Sequence, residues 1–159
     1  MNRTIPDIDA DERSLTAACK RLLQQQSFAN QHELRERLVE LGFEGVSQSS
    51  VSRLLSQLGV VKARNACGKK VYCITVETAP VRIESSIASQ IEFITHNQSV
   101  VVVKTHPGSA QLVARLVDID PHSEIIGTVG GNDTVLVIPR DANRVEACER
   151  IVKSRLGVV

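Results

Sequence analysis

The clearest structural signal in the first half of this chain is the stretch Val46-Ser47-Gln48-Ser49-Ser50-Val51-Ser52-Arg53-Leu54-Leu55-Ser56-Gln57-Leu58-Gly59. At ~100° per residue its apolar side chains share one stripe of a helix, and hydroxyls, an amide and a guanidinium lie opposite. Ser47 suits the N-cap and Gly59 suits the position after the C-cap, so both helix ends are marked. Such a polar face is typical of major-groove recognition, although a solvated surface helix has the same pattern.

The segments around this stretch predict a winged helix-turn-helix. Helices are expected over residues 12–26 and from about Gln31 to Leu41, because apolar residues recur there every three or four positions. After Gly59, alternation with period two predicts strands over 60–63 and 70–74, a hairpin that forms the wing. Helix and wing together favour a DNA-reading helix over a solvated one. The inward side chains expected in the first two helices are Leu15, Ala18, Cys19, Leu22, Leu23, Leu34, Leu38 and Leu41.

Charge is unevenly distributed along the chain. Residues 13–76 hold ten Lys and Arg against four Asp and Glu, whereas residues 77–159 hold eight against ten. One basic half beside one acidic half is expected when a single domain binds a polyanion. Base contacts are expected from Ser49, Ser52 and Arg53. Contacts to phosphates or groove edges are expected from Gln48, Arg64, Lys69 and Lys70.

The whole chain is expected to be an α+β protein of two domains. Residues 1–76 would form the DNA-binding domain, with residues 1–10 as a mobile tail, and residues 77–86 a linker. Residues 87–159 show the order ββαββα, with strands over 91–96, 100–105, 125–129 and 135–138. Its helices are expected over 107–119, with Pro107 in the first position, and over about 144–156. This order predicts a largely antiparallel four-stranded sheet backed by two helices, and a domain this small gains stability by forming oligomers.

Composition excludes several classes of function. Aromatic residues make up 3% of the chain and tryptophan is absent, which argues against stacking platforms for single-stranded nucleic acid. The four cysteines and four histidines lack the spacing of zinc sites or acid–base pairs, and no nucleophile motif occurs, so no catalytic or metal site is expected. Because the sequence has neither a secretion-signal pattern nor an apolar run of ~18 residues, a soluble cytoplasmic protein without a membrane partner is expected.

Two separated motifs resemble the bacterial arginine repressor family, whose members are hexameric transcription regulators that respond to L-arginine. The first is Ser47-Gln48-Ser49-Ser50-Val51-Ser52-Arg53, followed by Arg64-Asn65 and Val71-Tyr72 in the wing. The second is Thr105-His106-Pro107-Gly108-Ser109-Ala110-Gln111-Leu112-Val113-Ala114-Arg115-Leu116-Val117-Asp118 with Gly127-Thr128-Val129-Gly130-Gly131-Asn132-Asp133-Thr134. The resemblance covers roughly residues 12–156. Neither motif is specific alone, but both in this order at this separation are strong evidence for the resemblance.

The resemblance implies a repressor of arginine-biosynthesis genes that binds double-stranded operator DNA, with L-arginine as co-repressor and no other cofactor. It implies C-terminal trimers that stack into a hexamer with arginine between them. On the matching positions, Gln111 and Asp118 would hold the amino-acid end of the ligand. The turn at Asn132 and Asp133 would bind its guanidinium, which favours paired carboxylate oxygens.

One position departs from the family pattern, because many members have two aspartates where this chain has Asn132-Asp133. An amide lacks the carboxylate charge, so arginine binding weaker by about 1–2 kcal/mol is expected. Alternatively, a neutral ureido compound such as citrulline becomes a candidate effector, because an amide pairs with it on both edges.

Two other functions remain as alternatives. In the first alternative, the protein is an architectural accessory factor for site-specific recombination, a second role known in the family. It would otherwise be an enzyme or an enzyme-regulatory subunit with the C-terminal domain as an amino-acid sensor. The latter is disfavoured because no catalytic constellation occurs and the basic domain would have no purpose.

Overall fold

A computed structural model describes residues 14–74 and 86–159 of the chain. The predicted tail, the start of the predicted first helix and most of the predicted linker lie outside the described residues.

Three helices form the first core: α1 at Leu15–Gln25, α2 at Gln31–Glu40 and α3 at Gln48–Gln57. Ser14, Asn30 and Ser47 are the N-caps, and each side chain accepts a hydrogen bond from the N–H three residues on. The predicted apolar stripe of α3 packs inward, with Val51, Leu54 and Leu55 buried. The prediction for Leu41 is wrong: the side chain is 48% exposed, because α2 ends at Glu40 and the chain turns through Gly42 at a φ of +101°.

The wing follows α3 directly. Strands β1 at Val60–Arg64 and β2 at Lys70–Ile74 pair antiparallel, from Val60 opposite Ile74 to Arg64 opposite Lys70. Gly59 has a φ of +67°, which a residue with a side chain rarely adopts, and this ends the helix where the sequence predicts. The N–H of Tyr72 donates to the carbonyl of Phe28 at 2.9 Å, so the wing is fixed to the turn between α1 and α2.

The second core lies between two helices and one face of a four-stranded sheet. Strands β3 at Ile91–His96, β4 at Val101–Thr105, β5 at Ile125–Gly130 and β6 at Thr134–Pro139 run antiparallel in the order β3-β4-β6-β5. Helices α4 at Ala110–Asp118 and α5 at Val145–Leu156 cover one face, and valines of β4 and β6 are fully buried beneath them. The opposite face carries exposed apolar side chains at Phe93, Val129 and Leu136. The predicted ββαββα order is therefore correct.

The predicted start of α4 at Pro107 is wrong, since the helix begins at Ala110. Gly108 has a φ of +83°, so residues before the helix form a turn. The N–H groups of Gly108 and Ala110 donate to the carbonyl of Asn132 at 2.8 and 3.4 Å. These two long-range hydrogen bonds fix the start of α4 to the β5–β6 turn, and Pro107 stays outside the helix.

Candidate DNA-binding and ligand-binding sites

The outward face of α3 is available to a partner. Gln48, Ser49, Ser52 and Arg53 are all exposed, as the sequence predicts. Within residues 14–74 and 86–159, nothing forms a hydrogen bond or ion pair with the guanidinium of Arg53. The helix presents an unpaired cation among small hydroxyl and amide side chains, which can bind bases and phosphates.

Arg35, which sequence reasoning missed, supports this presentation. Its Nε donates to the carbonyl of Val46 at 2.8 Å, so α2 holds the loop that leads into α3. Nothing in the spacing of charges marks Arg35, because its acceptor is a backbone atom eleven residues away.

The wing carries the three predicted cations Arg64, Lys69 and Lys70 as exposed side chains. Nη1 of Arg64 donates to the carbonyl of Gly68 at 2.9 Å, across the tip of the hairpin. Lys62 lies over the ring of Tyr72, with Nζ 4.9 Å from the ring centre. The basic side chains of the wing and the polar face of α3 thus belong to one winged domain.

Gln111 and Asp118 lie two turns apart on α4, and both contact β5. Nε2 of Gln111 donates to the carbonyl of Gly130 at 2.7 Å, and the hydroxyl of Thr128 donates to Oδ1 of Asp118 at 2.9 Å. A methyl group at Gly130 would lie 3.1 Å from Cβ of Ala114, so the absence of a side chain allows helix and strand to approach. This close approach brings the two predicted ligand residues to one strand.

These residues open into a cavity of about 1100 Å³ between the two domains. Its wall on the C-terminal side includes Gln111, Arg115, Asp118 and Thr128, and α1 contributes Leu23. Partial desolvation raises the pKa of Asp118, and the hydrogen bond from Thr128 lowers it in part. An ammonium group bound at Asp118 would stabilise the charged carboxylate.

The β5–β6 turn presents Asn132 and Asp133 differently. Asn132 is exposed, while both carboxylate oxygens of Asp133 have partners within the chain. Nζ of Lys104 donates to Oδ2 at 2.7 Å, and the hydroxyl of Thr134 donates to Oδ1 at 2.9 Å. The hydrogen bond from Lys104 is the main cause that lowers the pKa of Asp133. Lys104 was missed from the sequence, because its position opposite Thr134 follows from the register of β4 and β6 in the structure.

The structure does not bring all four predicted ligand residues together in one chain. The turn is bonded to the start of α4, next to Gln111, whereas Asp118 ends this nine-residue helix. At 1.5 Å per residue the two ends lie about 12 Å apart along the axis. The cavity includes Gln111 and Asp118 but not the side of the turn that carries Asp133.

Other ionisable groups form pairs away from these sites. Glu149 contacts Nδ1 of His96 and lies 2.6 Å from Nζ of Lys153. In the part of the chain that is described, no three His, Cys, Asp or Glu side chains lie close enough to hold a metal ion. Among the same residues, no helix is long and apolar enough to cross a membrane.

Comparison with known proteins gives two domain matches and relatives that align over most of the chain. The family models "Arginine repressor, DNA binding domain" and "Arginine repressor, C-terminal domain" match residues 10–79 and 87–154. Proteins named arginine repressor from Histophilus somni (strain 2336) and Actinobacillus pleuropneumoniae serotype 5b are 41% and 43% identical, over 84% and 83% of this chain and 86% and 87% of theirs. The arginine repressor of Aeromonas hydrophila is 40% identical over 85% of this chain and 87% of its own.

Proposed function

The chain belongs to the arginine repressor family, and on that premise we propose that L-arginine is the co-repressor that controls its binding to operator DNA. It is a DNA-binding transcriptional repressor and not an enzyme. An architectural role at recombination sites stays a prediction. No feature of the described residues favours it.

For DNA binding, α3 enters the major groove and Arg53 donates to a base edge, with Ser49 and Ser52 beside it. Gln48 and the wing cations Arg64, Lys69 and Lys70 neutralise phosphates. The exposure of all seven side chains supports this assignment.

For ligand binding, Asp118 and Gln111 hold the amino-acid end, and Asn132 and Asp133 hold the guanidinium. The observation that carries this proposal is the placement of two carboxylates, Asp118 and Asp133, at opposite ends of α4. Because the two ends of α4 are about 12 Å apart along the helix axis, a site completed by a second copy brings both ends of one ligand within reach of a carboxylate. A homo-oligomer, a trimer that pairs into a hexamer, provides such sites.

The effector is tested by calorimetric titration of the purified protein with arginine and with citrulline. We expect arginine to bind, and Asn132→Asp to tighten it about tenfold, because charged hydrogen bonds are about twice as strong as neutral ones. Citrulline is the matched ligand without charge, and Asn132→Asp is expected to leave it unimproved.

Three results would change the proposal. Tighter binding of citrulline than of arginine would make a neutral compound the effector. An unaltered arginine affinity in Asn132→Asp would contradict the role of Asn132. Absence of heat with either ligand, in a protein that still binds DNA, would contradict arginine as co-repressor.

A further inference from the structure

The tip of the wing packs against the C-terminal domain through one buried amide. Asn65 is 7% exposed, and its Nδ2 donates to Oδ2 of Asp120 at 3.1 Å, across 55 residues of sequence. Sγ of Cys67, also at the tip, lies 3.7 Å from the carbonyl oxygen of Arg155 in α5. The DNA-binding domain therefore touches the C-terminal domain at a defined place.

An ion pair between the buried Asp120 and the partly exposed Arg155 completes this contact. Asp120 is 1% exposed, and Nη1 of Arg155 lies 3.2 Å from its Oδ1. Nη2 of Arg155 donates to the carbonyl of Pro121 at 3.2 Å, which orients the guanidinium. A buried carboxylate that lost either partner would be strongly unfavourable, so the three side chains depend on one another.

Asn65 uses both ends of its amide. Its Oδ1 accepts from the N–H groups of Cys67 at 3.1 Å and Lys69 at 2.9 Å, which closes the wing turn. Because the oxygen is engaged in the wing, the nitrogen must face Asp120. One side chain thus joins the conformation of the wing to the position of the C-terminal domain.

We infer that Asn65, Asp120 and Arg155 form a latch whose members are positioning residues for DNA binding. The latch fixes the wing, and with it α3, relative to the C-terminal domain. Arg64, Lys69 and Lys70 stay exposed while the wing is held, so the latch leaves the cations available to phosphates. Asp120 follows Asp118 by two residues, which places the latch at the same end of α4 as the proposed ammonium site.

The latch has a specific energetic consequence, which rests on the proposed homo-oligomer. Two DNA-binding domains held at fixed positions bind a second half-site at high effective concentration, whereas two loosely tethered domains do not. Fixing the domains in advance also reduces the entropy lost on binding. The latch should therefore strengthen binding to paired half-sites and leave binding to a single half-site unchanged.

The test compares the wild type with Asn65→Asp and with the double variant Asn65→Asp, Asp120→Asn. Asn65→Asp keeps the oxygen that closes the wing turn but places a carboxylate against Asp120. In the double variant the amide and the carboxylate exchange places, so a donor again faces an acceptor while the wing keeps its added negative charge. Thermal melting of each variant shows whether it folds.

The DNA probes are a two-half-site fragment selected by the wild type from a random pool, and the same fragment with one half-site scrambled. By fluorescence anisotropy in saturating arginine, we expect Asn65→Asp to weaken binding to the intact fragment about tenfold. Binding to the scrambled fragment is expected to change less than about twofold, and the double variant should restore the intact-fragment affinity.

Equal weakening on both probes would overturn the latch, because it would show an electrostatic effect of the wing alone. Tighter binding by Asn65→Asp would overturn it as well, since the contact would then hold the wing away from DNA. If the wild type itself bound both probes equally, the proposed oligomer would be wrong and not only the latch.

Discussion

At the scale of single residues, the charge of Asp133 is satisfied by partners within the chain. Lys104 occupies one carboxylate oxygen and Thr134 the other, so a guanidinium bound there, as we propose, would compete with a group of the same charge. The alkyl stem of Lys104 extends from β4, a strand fixed in the sheet, so the ammonium is held near the carboxylate before any ligand arrives.

Replacing that competitor should favour a cationic ligand. We expect Lys104→Met to raise arginine affinity several-fold and to change citrulline affinity little, because only the cation gains from removal of a like charge. Calorimetric titration measures both. Lys153→Met is the matched control, because Lys153 lies in α5 and not in the turn, and its Nζ is 2.6 Å from Oε1 of Glu149. This variant should change neither affinity. Weaker arginine binding by Lys104→Met would show that Lys104 instead organises the turn for its ligand.

At the scale of elements, the contact between α4 and β5 determines the geometry of the proposed ligand residues Gln111 and Asp118. Gly130 lies against Ala110 and Ala114, and the hydrogen bond from Gln111 crosses the same contact. Small residues on both sides bring the backbones together, as they do wherever a helix packs closely on a strand.

A methyl group at this contact should separate the two elements. We expect Gly130→Ala to lower the free energy of unfolding by about 1–3 kcal/mol and to weaken arginine binding, because its Cβ would meet Ala114 at 3.1 Å and the Ala110 carbonyl at 3.3 Å. Denaturant unfolding and calorimetry measure the two effects. Gly127→Ala in the same strand, where a Cβ meets nothing within 4 Å, is the control and should be nearly neutral. Equal loss in both variants would contradict a local clash.

Helix α3 and the wing should contribute differently to DNA binding. We expect Arg53→Ala to reduce discrimination between operator and unrelated DNA, whereas Lys69→Ala weakens both and lowers the salt slope by about 1. Anisotropy titrations over a range of salt concentrations separate the two effects. A uniform loss in Arg53→Ala would place Arg53 on a phosphate and not on a base.

The elements themselves were largely predictable because their signals are local. The N-cap at Ser47 and Gly59 after α3 mark helix ends within a few residues, and period two marks the strands of the wing. The errors arose where a distant group decides. Pro107 lies outside α4 because its neighbours bond to Asn132, and Leu41 is exposed because the chain turns one residue earlier than expected.

At the scale of the whole molecule, the predicted family and fold class are confirmed, whereas the contacts between elements far apart in sequence were not foreseen. Composition showed one basic and one acidic half, yet it gave no sign of the Asn65–Asp120 bond, whose partners are 55 residues apart. A pairing of this kind has no period and no motif, so a single sequence does not indicate it. The assigned contacts of Arg53 and Asp118 stay predictions.

We expect the proposed homo-oligomer to form through the face of the sheet opposite the helices. Val129 is 62% exposed and pairs with Leu136, which is 37% exposed, on the side opposite the helices. We expect Val129→Lys to lower the mass of the particle measured by light scattering in arginine, because a charge would be buried in an apolar interface. Val61→Lys on the wing, where the valine is 47% exposed, is the control and should leave the mass unchanged. An unchanged mass in both would place the interface elsewhere.

Tyr72 gives this protein a built-in optical reporter. It is the one tyrosine of a chain without tryptophan, it lies in the wing, and Lys62 is 4.9 Å from its ring. The tyrosine fluorescence of the protein therefore originates at the hairpin that is proposed to contact DNA. If phosphates draw Lys62 away from the ring, the intensity should change as DNA is added. Engagement of the wing can then be followed in the unlabelled protein, separately from events in the C-terminal domain.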